Sequence, residues 1–324
     1  MSENASIETL GGIFRDNQIF ALMSHVRPDG DAIGSQLGLG LALEAMGKTV
    51  LYWNEDGLPE NLEFLPHSEK IARPPHEAPV VDVAIALDTA TKVRLGENNL
   101  RAASRASLWV NIDHHISNPR YGDVNYVDAT SPATGQIIYE IIKSLDMPLP
   151  EGSRDAIYVA VSTDTGSFQY DSTTSRTYRL AADLLDRGLA VGDINAKIYD
   201  SHPYRRIELM RTLLNTLQLS ADGRVAHWDM LDATRISLGL KPEDSEGLID
   251  LIRAIRGVQV AVFFEELPDG KIRVSMRSKD RSTNVCEIAT LFGGGGHALA
   301  AGIRMAGPLE AAKEKVLAAI ASAI

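Results

Sequence analysis

Residues 19–47 read IFALMSHVRPDGDAIGSQLGLGLALEAMG. An apolar run ends on a histidine, a Pro-Asp-Gly turn follows, and Ile33, Leu37, Leu41 and Ala45 then recur at helical spacing, which makes a strand, a turn and a helix. The strand is expected over 19–25 and the helix over 31–47, after a short helix near 6–16. The apolar runs VDVAIALD (81–88), SLWVNIDHH (107–115) and IYVAVSTDTG (157–166) also finish on acids or histidines. In a parallel α/β sheet the strand ends and the turns after them share one edge. His25, Asp29, Asp31, Asp88, His114, His115 and Asp164 can therefore converge there. That set is rich in oxygen with some imidazole, which suits hard or borderline divalent cations, Mn²⁺ first with Mg²⁺ or Co²⁺ as alternatives, better than a thiolate zinc site.

The alternation continues with strands near 49–53, 81–88 and 108–113 and helices near 134–145 and 154–161, so residues 1–190 read as an α/β, mainly parallel-sheet domain. The stretch 191–219 is helical in pattern, with Leu209, Met210, Leu213, Leu214 and Leu217 three or four apart, and is expected as a connector. Residues 220–324 then offer a strand at 225–228, paired strands GVQVAVFFEEL and KIRVSMRS, a helix near 285–291 and a terminal alanine-rich helix, giving a smaller mixed α/β domain. Two domains also fit 324 residues with 44% hydrophobic content.

A single cysteine, Cys286, excludes an intrachain disulfide and a Cys-based metal cluster and points to a reducing, cytoplasmic home. The opening residues MSENASIETLGG carry no basic-then-apolar signal and no later stretch reaches a membrane span, so neither export nor insertion is expected. A net charge of −11 argues against coating long nucleic acid, where Lys and Arg must replace counterions. Small anionic substrates stay compatible, because bound cations would cancel the charge where an anion lands.

Each acidic position also has an ordinary explanation. Asp31 would make a good helix N-cap, Asp88 a turn cap, His114 and His115 a surface pair, and Asp164 a helix-terminal acid. Considered together they favour a metal centre. Two unit charges 4 Å apart repel by about 4 kcal/mol at an effective dielectric near 20, and two divalent ions cancel four carboxylates. A dinuclear centre with metals about 4 Å apart supplies a hydroxide for in-line attack on phosphorus.

In order, HVRPDGD (25–31), ALDT (86–89), NIDHH (111–115) and STDTGSF (162–168) resemble the four N-terminal motifs of the DHH phosphoesterases. VSMRSK (274–279), NV (284–285) and GGGGHALAAG (293–302) resemble the DHH-associated domain, and the whole resembles the family's nanoRNase and 3′-phosphoadenosine-5′-phosphate phosphatase group. The resemblance implies that His25, Asp29 and Asp88 hold one metal and that Asp31, Asp88, His114 and Asp164 hold a second, with Asp88 bridging. It implies further that His115 contacts the scissile phosphate, that Asp113 orients an imidazole, and that Arg277 and His297 grip a farther phosphate, with Asn284 in the same binding motif.

Glycines 293–296 could form a backbone N–H nest for an anion, drawing in Gly294, Gly295 and Gly296, or a flexible linker. Arg277 could make a bidentate phosphate contact or be an exposed strand residue. Where relatives carry a serine-rich stretch ending in Glu, this chain has TSPATGQ (130–136). Gln136 cannot serve as a carboxylate, while Ser131 and Thr134 can still donate to a phosphate. One domain that cuts and one that holds limit substrate length, so the expectation is release of 5′-mononucleotides from short RNA and conversion of 3′-phosphoadenosine 5′-phosphate to AMP. The alternatives are a pApA or cyclic di-AMP phosphodiesterase, a pyrophosphatase or short-chain polyphosphatase, and a non-catalytic RNA-binding or nucleotide-sensing protein. A homodimer is compatible with all of them.

Overall fold

The computed structural model describes residues 4–324. The chain begins with α1 (Ile7–Asp16), β1 (Ile19–Met23), α2 (Gly30–Ala45), β2 (Thr49–Trp53), β3 (Ile71–Ala72), β4 (Val83–Leu87), α3 (Glu97–Ala102), β5 (Leu108–Asp113) and β6 (Val124–Val127). Helices α4 (Thr134–Ser144), α5 (Glu151–Asp164), α6 (Ser175–Asp186) and α7 (Val191–Tyr199) complete the first unit, which runs to Ser201.

Its strands form a parallel sheet in the order β3-β2-β1-β4-β5-β6. Both faces are covered, as parallel sheets require. Phe20 and Leu22 point to the side of α2, α4 and α5, while Ala21 and Met23 point to the side of α3. The chain moves outward from β1 through β2 to β3 and then returns beside β1 with β4. The carboxyl ends of β1 and β4 therefore flank a topological switch point, where doubly wound sheets open a crevice.

Helix α2 was expected to show an apolar stripe. Instead it is buried on every side from Gly30 to Leu43, as befits a helix enclosed between a sheet and two other helices. Its glycines permit this. A Cβ on Gly34 would sit 2.4 Å from the carbonyl oxygen of Ala156 in α5.

The second unit spans His202–Ile324. It contains α8 (Tyr204–Thr216), β7 (Gln218–Leu219), β8 (Val225–Met230), α9 (Asp232–Leu238), α10 (Ile249–Arg253), β9 (Val260–Glu266), β10 (Lys271–Ser278), α11 (Val285–Thr290), β11 (Gly295–His297), β12 (Ala300–Ala306) and α12 (Leu309–Ala323). The sheet order is β11-β12-β10-β9-β8-β7, with β8 and β9 parallel and β9 and β10 the expected antiparallel pair. Val260, Val262, Val274 and Met276 pack with α11 and α12, whereas Trp228 and Phe263 pack with α8 and α10.

The stretch 191–219 is not one connector. It divides into α7 in the first unit, α8 in the second and the short strand β7, with Pro203 at the start of α8. Proline has no N–H to donate and biases its predecessor away from the helical region, so it starts a helix and does not continue one. Strands β3 and β6 and helices α3 and α6 were not among the expected elements, although α6 buries Thr177, Leu180 and Leu184 at helical spacing behind a capping box at Thr174. Among the described residues no helix is long and apolar enough to cross a membrane.

Candidate metal centre

His25 lies two residues beyond β1 and Asp88 is the first residue beyond β4, held at a left-handed φ of 49°. That conformation is uncommon for a residue with a side chain, although Asp tolerates it better than most. The two side chains meet at the switch point, with His25 Nε2 3.3 Å from Asp88 Oδ2. The other Asp88 oxygen, Oδ1, lies 3.5 Å from His114 Nε2. One carboxylate therefore stands between two imidazoles, each facing a different oxygen.

Both imidazoles are oriented from behind. His25 Nδ1 is 2.9 Å from the Val26 carbonyl oxygen and His114 Nδ1 is 3.3 Å from that of Ser131. A carbonyl only accepts, so each Nδ1 carries the proton and each Nε2 faces the acids. Around His25 the set is completed by Asp29, with Oδ2 at 3.6 Å. Around His114 it is completed by Asp164 at 3.3 Å and Asp31 at 3.8 Å. His25, Asp29 and Asp88 form one cluster and Asp31, His114 and Asp164 another, the ligand atoms of each lying within 4.8 Å of one another.

The two acids of the PDGD turn have divided roles. Asp29, rather than Asp31, caps α2, its Oδ1 accepting from the N–H groups of Asp31 and Ala32 at 3.1 and 3.0 Å. Asp31 reaches across to the first turn of α4 and accepts from Thr134 N–H at 2.7 Å and Gly135 N–H at 2.8 Å. A carboxylate at a helix N-terminus is favoured by the exposed N–H groups and the helix dipole. Asp164 sits at the last residue of α5, not at a strand end. The helix supplies the same edge because α5 packs along α2.

Charge is concentrated here. Burial, with the negative charges of Asp88 and Asp164, pushes the Asp31 carboxyl well above the ordinary range. Burial, with Asp29 and Asp88, lifts Asp164 to about 6. Burial opposes ionisation of Asp88 too, yet hydrogen bonds from His114 and His25 outweigh it and hold that carboxyl well below the usual range. Burial and Arg94 work against a charge on His25, but bonds to Asp29 and Asp88 raise its pKa to about 10. His114 is raised as well, burial being overcome by Asp164, Asp88 and Asp31. Protons on imidazole balance the acids in the metal-free protein. Divalent cations satisfy the same negative set, and its donors, carboxylate oxygen plus imidazole Nε2, fit Mn²⁺ or Mg²⁺ chemistry.

Asp31 and Asp88 are 2% and 3% exposed in their side chains, whereas Asp29 and Asp164 are 40% and 36% exposed. The cluster therefore opens to solvent on the Asp29 and Asp164 side. His115, 15% exposed, stands edge-on to His114 at 4.8 Å and places Nδ1 2.8 Å from Asp113 Oδ1. The buried Asn118 was not anticipated from the sequence, and its amide reaches the other Asp113 oxygen at 2.5 Å. An Asn three positions past His115 was the available signal, masked by the turn propensity of Ser-Asn-Pro.

Ser131 and Thr134, expected as donors to a phosphate, are buried and engaged. Ser131 Oγ donates to the Ala133 carbonyl at 2.9 Å and Thr134 Oγ1 to Asp88 Oδ1 at 3.3 Å. Gln136 accepts from Thr177 Oγ1 at 2.9 Å and so ties α4 to α6.

Within the second unit, Arg277 on β10 pairs in register with Ala300 on β12, which pairs with His297 on β11. Residues on one rung share a face, so Arg277 and His297 lie on the same side of the sheet, two strands or about 10 Å apart with only an alanine between. The expected nest at Gly294, Gly295 and Gly296 is not formed. Gly293 and Gly294 N–H groups donate to the Thr290 and Ala289 carbonyls at 3.1 and 2.9 Å, and Gly295 and Gly296 belong to the edge strand. Close approach explains the missing side chains, since a Cβ on Gly294 or Gly296 would lie 2.2 or 2.4 Å from the carbonyl oxygens of Gly302 and Ala300. Asn284 is also committed: it caps α11 through Cys286 and Glu287 N–H groups at 3.1 and 3.3 Å.

The chain is 34% identical over 300 residues to the bifunctional oligoribonuclease and PAP phosphatase NrnA of Thermus thermophilus, covering 92% of this chain and 88% of that protein. It is 31% identical to the NrnA of Bacillus subtilis, covering 87% of each. The DHH family N-terminal domain matches residues 19–161, and the DHHA1 domain matches 231–324. The chain belongs to the DHH family. As a DHH phosphoesterase it is an enzyme, and its first unit gathers a cluster of acids and histidines at one sheet edge. The fold agrees: the crystal structure of an exopolyphosphatase-related protein from Bacteroides fragilis superposes with a TM-score of 0.85 at 26% identity, covering 98% of this chain and 95% of that one.

Proposed function

We propose that this DHH phosphoesterase releases 5′-mononucleotides from RNA of a few nucleotides and removes the 3′-phosphate of 3′-phosphoadenosine 5′-phosphate, with two Mn²⁺ ions as cofactor. The observation that carries the reading is the Asp88 carboxylate, flanked at 3.3 and 3.5 Å by the Nε2 atoms of His25 and His114. The names of the relatives from T. thermophilus and B. subtilis support the substrate class.

In this reading His25, Asp29 and Asp88 hold one ion and Asp31, Asp88, His114 and Asp164 the other. When bound, such a pair supplies Lewis-acid stabilisation of phosphoryl oxygens and activation of water. The chain's own residues do the rest. Val26 and Ser131 carbonyls keep both ligating imidazoles in the Nδ1–H tautomer. Asp113 holds His115 Nδ1, and His115 is the group assigned to meet a phosphate oxygen and stabilise charge as the ester bond breaks. Burial of Asp31 and Asp88 removes bulk water from the inner side, which strengthens every charge interaction there. Arg277 and His297 are assigned to another phosphate of the substrate, the guanidinium offering a bidentate contact.

A rate panel tests the proposal, using ribodinucleotide, 5-mer, long RNA, 3′-phosphoadenosine 5′-phosphate, pApA and pyrophosphate, each with Mn²⁺ and with Mg²⁺. Highest rates on dinucleotide and on the bisphosphate are expected. Preference for pApA or pyrophosphate would replace this substrate assignment, and tight binding without turnover in metal-replete buffer would reject hydrolysis altogether.

A further inference from the structure

We propose that Asn118 is a positioning residue that fixes the direction of the His115 imidazole through Asp113, a role that rests on the assignment of His115 to the scissile phosphate. A chain of hydrogen bonds runs inward from the imidazole. His115 Nδ1 lies 2.8 Å from Asp113 Oδ1, and Asp113 Oδ2 accepts from Asn118 Nδ2 at 2.5 Å. The same amide nitrogen donates to Asn111 Oδ1 at 2.8 Å. Asn111 is anchored in turn, its Nδ2 3.3 Å from both the Ala86 carbonyl and the Tyr121 hydroxyl, and Tyr121 donates to the Thr89 carbonyl at 3.0 Å.

The consequence is geometric. Asp113 and Asn111 are wholly buried and Asn118 nearly so. A carboxylate held between an imidazole on one oxygen and an amide on the other has one orientation that satisfies both, and water is not at hand to compensate a rotation. With Nδ1 fixed, the opposite nitrogen of the five-membered ring is aimed as well. Remove the amide donor and, among the described residues, Asp113 keeps His115 as its one hydrogen-bonded side-chain partner, so its carboxylate is free to turn and His115 turns with it.

Asn118 has two separable jobs. Its oxygen accepts from Arg120 N–H at 2.7 Å, shaping the loop in which Arg120 adopts a φ of 59°. Its nitrogen serves Asp113 and Asn111. Asn118→Asp keeps the oxygen for Arg120 and removes the donors. Asn118→Leu keeps the approximate volume and can donate in no protonation state.

The experiment measures steady-state kinetics with Mn²⁺ on a ribodinucleotide and on 3′-phosphoadenosine 5′-phosphate, Mn²⁺ affinity by calorimetry, and histidine side-chain ¹H–¹⁵N spectra of the full chain. Both variants should lose about 10- to 100-fold in kcat, with KM and Mn²⁺ affinity inside about threefold. The Nδ1–H resonance that is absent from His115→Ala should shift or vanish in both. In a His115→Ala background, Asn118→Leu should produce no further fall in kcat, because the group it positions is gone. Unchanged kcat together with an unchanged His115 resonance overturns the proposal, as do losses that multiply in the double variant, which mark a purely structural residue. The two readings fail separately. If His115→Ala keeps full kcat while the Asn118 variants still displace the His115 resonance, positioning stands and the role given to His115 falls.

Discussion

Asp88 presents one oxygen to His25 and the other to His114, and its contact with His25, Oδ2 to Nε2 at 3.3 Å, joins the ends of the two strands that flank the switch point of the sheet. Both ligand clusters therefore depend on one buried side chain. Asp88→Asn preserves shape and tolerates the left-handed backbone, but it exchanges an anionic oxygen for an amide facing an imidazole. The expected result is a loss of at least about three orders of magnitude in kcat, the size of several kcal/mol of transition-state stabilisation. Circular dichroism should show the fold retained, and calorimetry should show weakened Mn²⁺ binding.

Metal uptake should release protons. In the metal-free protein the acids around His25 raise its pKa to about 10, so at pH 7 to 8 the imidazole is charged and must give up its proton before Nε2 can ligate. Apparent affinity then rises with pH, by about tenfold per unit for each proton displaced, until the pH passes that value. Titrating Mn²⁺ into the chelator-treated enzyme in two buffers of different ionisation enthalpy counts the protons. Heats independent of buffer would contradict the expectation.

The spacing of α2 and α5 sets the candidate metal centre, because Asp29 caps α2 and Asp31 lies in its first turn while α5 ends at Asp164. Gly34→Ala would place a methyl 2.4 Å from the Ala156 carbonyl oxygen, an obstacle made of backbone that cannot rotate away. Overpacking of this kind costs about 1–3 kcal/mol. Both a lower Tm and a lower kcat are expected, whereas Gly192→Ala in α7, where the added carbon meets nothing within 4 Å, should leave kcat unchanged and Tm the same or slightly higher.

In the second unit His227 is buried and neutral. Burial and the nearby Lys313 ammonium depress its pKa, with Asp229 and Glu310 opposing, and its Nδ1 has no hydrogen-bond partner among the described residues. The unfolded chain takes up a proton at the ordinary histidine pKa near 6.5 while the folded chain does not. Stability therefore falls as pH drops below about 6.5, by up to about 1.4 kcal/mol per unit, until the folded-state histidine itself protonates. Denaturant melts of the wild type and His227→Gln between pH 7.5 and 5 should differ in slope, with the variant the flatter.

Asn284 separates a cap from a ligand. Since its side chain accepts from Cys286 and Glu287 N–H groups, Asn284→Ala should cost about 1 kcal/mol and lower Tm by a few degrees. KM for the bisphosphate should stay within about twofold, in contrast to Arg277→Ala, where the loss of a charge-assisted contact should raise it roughly tenfold or more.

Much of this protein was legible before folding was considered. Apolar runs ending on His25, Asp88 and the Asp113 to His115 triplet mark strand ends, because a parallel strand is buried on both faces and its first polar residues fall where the sheet meets solvent. Period and composition are local properties, so strands, helices and the candidate ligands could be read from them. The break at Pro203 was lost in a helical pattern that continues on both sides of it.

What only the tertiary structure decided is how each polar atom is used. Asp29 and Asp31 are two positions apart in one turn, yet one caps its own helix and the other reaches the first turn of α4, more than a hundred residues away. Asn284 and the glycines after Phe292 carry the composition of a phosphate-binding loop, but their hydrogen bonds and close approaches belong to a helix cap and an edge strand. The one signal Asn118 gave, its place three positions past His115, was masked by the turn composition around it, because its partner, Asp113, meets it only after the loop has turned back. A sequence fixes which groups can donate and accept, while the fold fixes the distances at which they do, and buried polar atoms take whichever partner those distances allow.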